Sequence, residues 1–383
     1  MILNVKIAFA TTADPLDVHT WSGTPSHMVA SLKKQAFTVD CLGPLVDEQS
    51  LYLKLKRHAY RRFLGKRFLP ERIPARLKNL SQQVARKLEG KNYDLVFSSG
   101  SMELAYLDCK EPTAFWADAT FAGMIDFYSA WTNLAQESIH DGNAAEQAAL
   151  VKCKLAIYSS DWAARSAIEH YKINPAKIKV VSFGANLECH RTLEDIDRLT
   201  RAKKQGACKL LFLGVEWIRK GGPLSLQVAQ KLNEIGLPTE LTIVGAIPPN
   251  SQSLPPYVKA LGFISKSTEE GRRRIQELLQ ESHFLIMPSI AECTPIAFCE
   301  ANSFGLPCLA TNVGGIPSVI RNDVNGTTFV LDARPEEYCK YIIQALDASH
   351  YRELAASSFN EYQTRLNWTT AGETVKTLLE AVC

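Results

Sequence analysis

Glu292 and Glu300 stand eight residues apart in a segment, PSIAECTPIAFCEANSFGLPCLATNVGGIPSV, that runs from Pro288 to Val319. The segment opens where the apolar run HFLIM ends, and open α/β sheets bind ligands just beyond their strand ends. Thr294 suits an N-cap and Pro295 the first helical position. The Ile296 and Ala297 amides are then expected to point free N–H groups into the loop, an arrangement that attracts anions. On that reading Glu292 precedes the helix and Glu300 lies about two turns inside it. Two carboxylates beside a phosphate would repel it, so they suit sugar or ribose hydroxyls better, which donate hydrogen bonds to them. Two glutamates at this spacing are common by chance. The weight comes from the context of strand, capped helix, GLP run and GG turn.

Arg219 and Lys220 lie in FLGVEWIRKGGP, Phe212–Pro223, between an apolar run and an amphipathic stretch. The glycines let backbone approach a ligand. Cations at a helix start oppose the helix dipole, so a pair there calls for an anionic partner such as a phosphate.

The elements that must position these groups are legible as alternating apolar runs and helical patterns. In the first half the runs are Val5–Thr11, Thr38–Leu42, Leu95–Ser98, Ala114–Trp116, Leu155–Ser159 and Ile178–Val181. In the second they are Lys209–Leu213, Leu241–Val244, His283–Met287, Cys308–Ala310 and Thr327–Val330. Amphipathic stretches such as Gly221–Glu234 and Glu269–Gln280 separate them. Strands alternating with helices predict βαβ units, parallel sheets and right-handed crossovers with helices on both faces. The alternation pauses over the polar stretch Asn186–Gly206, and a fresh strand signal, CKLLFLG, follows. This places a first domain at 1–187, a linker at 188–207, a second domain at 208–360 and a terminal helical stretch at 361–383.

ECTPIAFCE, EANSFGLP and GGIPSVI together resemble the retaining family 4 glycosyltransferases of the GT-B architecture. The stretches FWADATFAGMIDFY and YSSDWAARSAIEHY resemble a bacterial, polysaccharide-assembly-like subgroup, as does VVSFGAN. The resemblance covers most of the chain and is more specific in its second half. It implies two Rossmann-like doubly wound domains facing a central cleft, with the C-terminal helix crossing back to the first domain. It assigns Lys220 and Arg219 to the donor diphosphate and leaving group, although the family arginine more often lies where this chain has Val215 and Glu216. It implies Gly23, in WSGTPSHM, beside the donor sugar and diphosphate, and backbone near Phe263 and Ile264 around the nucleotide base. Asp118 stands where many members have a sugar-contacting histidine, and a capping role fits it equally. Ser318 replaces the family's usual acid after GGIP.

Charge and composition bound the partners. The chain has 383 residues, with 43 Lys and Arg against 40 Asp and Glu, a balance too even to argue for nucleic acid. The stretch 51–78 is the exception, with ten of those cations and only Glu71 against them. Leu51, Tyr52, Leu53, Leu55, Tyr60, Phe63 and Leu64 are interleaved. That pattern suits an anionic membrane surface or a pyrophosphate-bearing acceptor, and equally a solvated basic loop. Ten cysteines without C-x-x-C or zinc spacing read as buried free thiols of a cytoplasmic protein, possible peripheral contact with the inner face of a membrane left open. MILNVKIAFATTADP reads as a first strand rather than a leader. Asp195–Asp197 spells D-x-D away from any strand end, and no metal or other cofactor is expected.

The expected activity is transfer of a hexose, with retention, from UDP-glucose or alternatively GDP-mannose to a hydroxyl of a glycan or lipid-linked acceptor. Glu292 would orient the sugar, Glu300 would hold the ribose, and Arg219, Lys220 and the Ile296 and Ala297 amides would stabilise the departing diphosphate. Two other classes share these donor groups: a non-catalytic nucleotide-sugar-binding subunit, and a GT-B sugar-nucleotide 2-epimerase.

Overall fold

The computed structural model describes residues 5–17, 20–46, 50–203, 206–249 and 251–383. Met1–Asn4 of the expected first-strand segment and Lys204–Gln205 of the expected linker lie outside the described residues.

Among the described residues, twelve strands form two six-stranded parallel sheets. The first contains β1 (Lys6–Ala10), β2 (Thr38–Cys41), β3 (Leu95–Ser98), β4 (Thr113–Ala117), β5 (Leu155–Tyr158) and β6 (Ile178–Val180), in the order β2-β1-β3-β4-β5-β6. The second contains β7 (Cys208–Gly214), β8 (Thr239–Gly245), β9 (Val258–Ala260), β10 (Phe284–Met287), β11 (Cys308–Thr311) and β12 (Gly326–Phe329), in the order β12-β11-β10-β7-β8-β9. The doubly wound α/β architecture expected from the alternation is therefore present twice. The central strands β3, β4, β5, β10 and β11 are buried along their whole length. Parallel strands covered by helices on both faces read as continuous apolar runs, which is why they were visible in the sequence. The edge strand β9, only three residues of which Val258 alone is buried, carries no such run and was not anticipated.

The chain divides into two compact units, Met1–Ser182 with Ala371–Cys383, and Phe183–Thr370. Each has its own apolar core. Within 188–207, the described residues form helix Leu193–Ala202, which belongs to the second unit and buries Ile196 against Ala355 and Phe359. Thr192 and Asp195 close its capping box, and Asp197 pairs with Arg201 at 2.9 Å, so both aspartates of the D-x-D serve this helix. The last helix, Trp368–Glu380, starts in the second unit and ends in the first. Asn367 accepts the Thr369 and Thr370 amides at its start, and Lys376 donates to the Gln35 carbonyl at 3.1 Å. The chain thus returns to its first unit, as the resemblance implied.

Among the described residues, no helix is long and apolar enough to cross a membrane. All ten cysteines are thiols outside any disulfide, six of them buried. The 51–78 stretch is not a loop. It forms helix Leu51–Phe63, a short turn at Pro70–Arg72, and the start of helix Pro74–Leu88.

Candidate functional site

The second sheet reverses its winding between β7 and β10. The chain runs from β7 outward to β8 and β9, then returns to the other side of β7 as β10. Loops leaving the C-terminal ends of two such strands diverge to opposite faces and leave a crevice, the usual ligand position in an open α/β sheet. Arg219, Lys220 and Glu292, singled out from the sequence, sit on those two loops.

The loop after β7 is a hydrogen-bonded turn. Lys220 N donates to Glu216 O at 2.9 Å and Gly222 N to Trp217 O at 2.8 Å. Gly221 closes it at φ +79°, and a Cβ there would lie 2.0 Å from the Pro288 carbonyl oxygen. Only glycine allows both the left-handed backbone and this approach of the β7 loop to the β10 loop. The two loops are further joined by the Ile290 amide, which donates to Arg219 O at 2.8 Å.

This contact brings Arg219 and Lys220 onto Glu292. Arg219 donates to the Ala291 carbonyl at 2.8 Å and lies 3.3 Å from Glu292 Oε2, and the Lys220 ammonium pairs with the same oxygen. Arg219 also meets Glu216 at 2.8 Å, and that contact holds the Glu216 carboxyl below its usual range. The GG turn fixes Glu292 from behind, Gly315 N donating to Glu292 O at 3.0 Å. Glu292 is 7% exposed, so its charge requires partners, and two cations supply them.

Glu300 lies on helix Ile296–Asn302 and is 2% exposed. Its partner is Lys266, whose Nζ is 2.5 Å from Glu300 Oε1. Lys266 follows LGFIS in the loop after β9 and was not singled out from the sequence. A cation just past a strand end was the available signal, but β9 itself was invisible. Phe263 in the same loop is 72% exposed, whereas Ile264 packs against the second core.

Three details of the expected helix start are corrected. The helix begins at Ile296, with Pro295 in the cap position and no side-chain cap. Pro295 has ψ 89°, outside the helical region, so it cannot be the first helical residue and Thr294 is displaced from the cap. The Ile296 amide is not free, since it donates to Thr294 O at 3.1 Å. Glu300 consequently lies about one turn inside the helix rather than two. Ala297 is part-buried in this first turn and packs against the second core.

Ser318, in the short helix Ile316–Val319, stands where the resembled family has an acid. There Arg365 donates to the Ser318 and Val319 carbonyls, each at 2.7 Å, and ties the end of that helix down.

Two candidates lie in the first unit. Gly23 is buried at φ +81°, at the N-cap of helix Thr24–Lys34 in the segment after β1. Asp118 is half-buried directly after β4. Among the described residues no group of three or more His, Cys, Asp or Glu is arranged to hold a metal ion.

Comparison with known proteins places this geometry. Residues 195–362, within the second unit, match the family described as Glycosyl transferases group 1. A D-inositol 3-phosphate glycosyltransferase of Nocardiopsis dassonvillei is 25% identical over 236 residues, 58% of this chain and 54% of that protein. The chain spans about half the length of the curated relatives it matches, 54% and 46% in two cases. Among solved structures, sucrose-phosphate synthase of Thermosynechococcus elongatus superposes with a TM-score of 0.68 at 16% identity, covering 98% of each chain. The Anabaena protein HepE, solved in complex with UDP-glucose, gives 0.63 at 16% identity, over 98% of this chain and 99% of that one. At these identities the likeness is one of fold, and the fold is GT-B.

Proposed function

We propose that this chain transfers a hexose from a nucleoside diphosphate sugar to a hydroxyl group, with retention at the anomeric carbon. The observation that carries the reading is the Arg219–Lys220–Glu292 constellation at the switch point between β7 and β10. Two cations there are held by one buried carboxylate, a charge arrangement ready to be shared with an anion.

As the bond from the anomeric carbon to the diphosphate oxygen breaks, negative charge builds on the leaving group. Lys220 and Arg219 face that charge from fixed positions, and one such preorganised donor contributes about 3–4 kcal/mol to the transition state. Both cations are already in place, so the reaction as proposed needs no metal; turnover unchanged by EDTA checks this. Glu292, freed in part from Lys220, orients sugar hydroxyls. Glu300 accepts the ribose hydroxyls, with Lys266 fixing its carboxylate. Backbone around Phe263 and Ile264 is assigned to the base. Gly23 and Asp118 are assigned to the donor sugar, and the acceptor is a glycan or lipid-linked hydroxyl.

UDP-glucose is the first donor to test, supported by the fold neighbour solved with it. Incubation with UDP-glucose and, separately, GDP-mannose should release nucleoside diphosphate slowly without acceptor and faster with one. Tight binding of a nucleotide sugar with no release under any acceptor would replace the transferase with a binding subunit.

A further inference from the structure

Helix Leu51–Phe63 contains no buried residue, unlike the other long helices of the first unit. Its four part-buried positions, Leu53, Lys56, Ala59 and Tyr60, mark the side that rests on the protein. There Lys56 Nζ lies 2.5 Å from Glu137, Tyr60 donates to Glu137 at 2.9 Å, and the Tyr60 ring stacks on Phe68 at 5.1 Å. The Arg67–Leu134 bridge secures the chain just after it. The helix is therefore a fixed platform.

Its outward side is divided. Leu51, Leu55, Tyr52 and Phe63 fall within an arc of roughly 120° when 3.6 residues make a turn. They are strongly exposed, Leu51 at 73% and Phe63 at 80%, and Leu64 just past the helix is exposed too. Lys54, Arg57, Arg61 and Arg62 are exposed as well; the first three fall on the flank of the arc next to Leu51, and Arg62 lies inside it between Leu51 and Leu55. The other six cations of 51–78 are mostly engaged with the protein: Lys66 donates to Asn133 at 2.7 Å, Arg72 packs on Phe121 and Trp131, and Lys78 lies over Tyr106. The stretch still concentrates ten of the 43 Lys and Arg with one of the 40 Asp and Glu, so the rest of the chain is net acidic.

We propose that helix Leu51–Phe63 is a docking surface for an anionic lipid bilayer, lying in the interface with its apolar arc among the acyl chains and its four exposed cations on the headgroups. A soluble polyanion would use the cations and leave Leu51, Leu55 and Phe63 in water. An apolar protein partner would use those side chains and gain nothing from four adjacent cations. A bilayer with anionic headgroups takes both at once.

The test is co-sedimentation of the full chain with phosphatidylcholine vesicles and with phosphatidylcholine–phosphatidylglycerol vesicles. The chain should partition onto the anionic vesicles and leave them at high salt. Replacing Lys54, Arg57, Arg61 and Arg62 by Gln should lower the partition coefficient at least about tenfold. Leu55→Ser with Phe63→Ser should lower it several-fold at unchanged charge. Thermal shift by UDP-glucose in each variant checks that the fold and donor site persist. No binding to anionic vesicles, or equal binding to both vesicle types, overturns the proposal. So does loss in the charge variant with none in the apolar one, which would mark a site for soluble polyanions. A dimer that dissociates in the apolar variant would assign the face to a second copy. The proposal does not rest on the transfer reading, since nucleoside diphosphate release is measured without vesicles.

Discussion

Glu146 in the first unit and Glu292 and Glu300 in the second are all nearly inaccessible to water, yet their surroundings differ. Glu146 accepts from Ser101 Oγ at 2.6 Å and lies near Tyr158 and Arg72, whose guanidinium is packed on two aromatic rings. Burial pushes its carboxyl above the usual range, and its neighbours oppose that only in part. Glu292 and Glu300 are instead paired with Lys220, Arg219 and Lys266, which stand on loops at strand ends. Lys266 is 39% exposed while Glu300 is 2% exposed. Lys266 reaches solvent, where a ligand can take it over, whereas the Arg72 guanidinium beside Glu146 is held against two aromatic rings. Burial of a carboxylate therefore does not distinguish a site from a scaffold, whereas the place and packing of its partner do.

The largest effect expected from this contrast is on stability. Glu146→Ala should destabilise the first unit by about 3 kcal/mol, because it leaves Ser101 Oγ without its acceptor and takes from the Arg72 guanidinium the strongest of the acidic charges around it. Denaturant unfolding followed at the first-unit tryptophans reads it, and donor binding per folded molecule should not change. A loss of nucleotide affinity with intact stability would make Glu146 part of a site and break the comparison. Lys220→Ala should do the reverse. Turnover should fall about 100-fold or more, equivalent to about 2.7 kcal/mol in the barrier, with unfolding little affected since Arg219 remains on Glu292. An unchanged rate would remove the diphosphate assignment.

The same distinction explains what the sequence disclosed. Glu292, Lys220 and Arg219 were legible because their strands are continuous apolar runs and their loops carry glycines whose need is geometric, as at Gly221. Lys266 was not legible, because β9 is three residues long with one buried side chain and gives its loop no anchor in the sequence. The start of helix Ile296–Asn302 was misplaced because Thr-Pro suits a cap and first turn by residue type, while tertiary packing set Pro295 at ψ 89°. Helix Leu51–Phe63 was read only as a charge pattern, since a helix that buries nothing has no buried apolar face to announce it.

The smallest expected effect tests the Glu300–Lys266 pair. Glu300→Ala removes the carboxylate assigned to ribose and leaves Lys266, already part-exposed, to be hydrated. UDP affinity measured by calorimetry should weaken roughly tenfold, about 1.4 kcal/mol, which is the scale of a hydrogen bond to a charged group. Lys266→Ala should weaken it less, because Glu300 keeps its charge and loses only its restraint. A deoxyribose form of UDP separates the two roles. If Glu300 holds ribose hydroxyls, removing the 2′-hydroxyl should cost the unmodified chain affinity and cost Glu300→Ala almost none. Equal losses in both would place Glu300 with Glu146, as a carboxylate that supports the fold and touches no ligand.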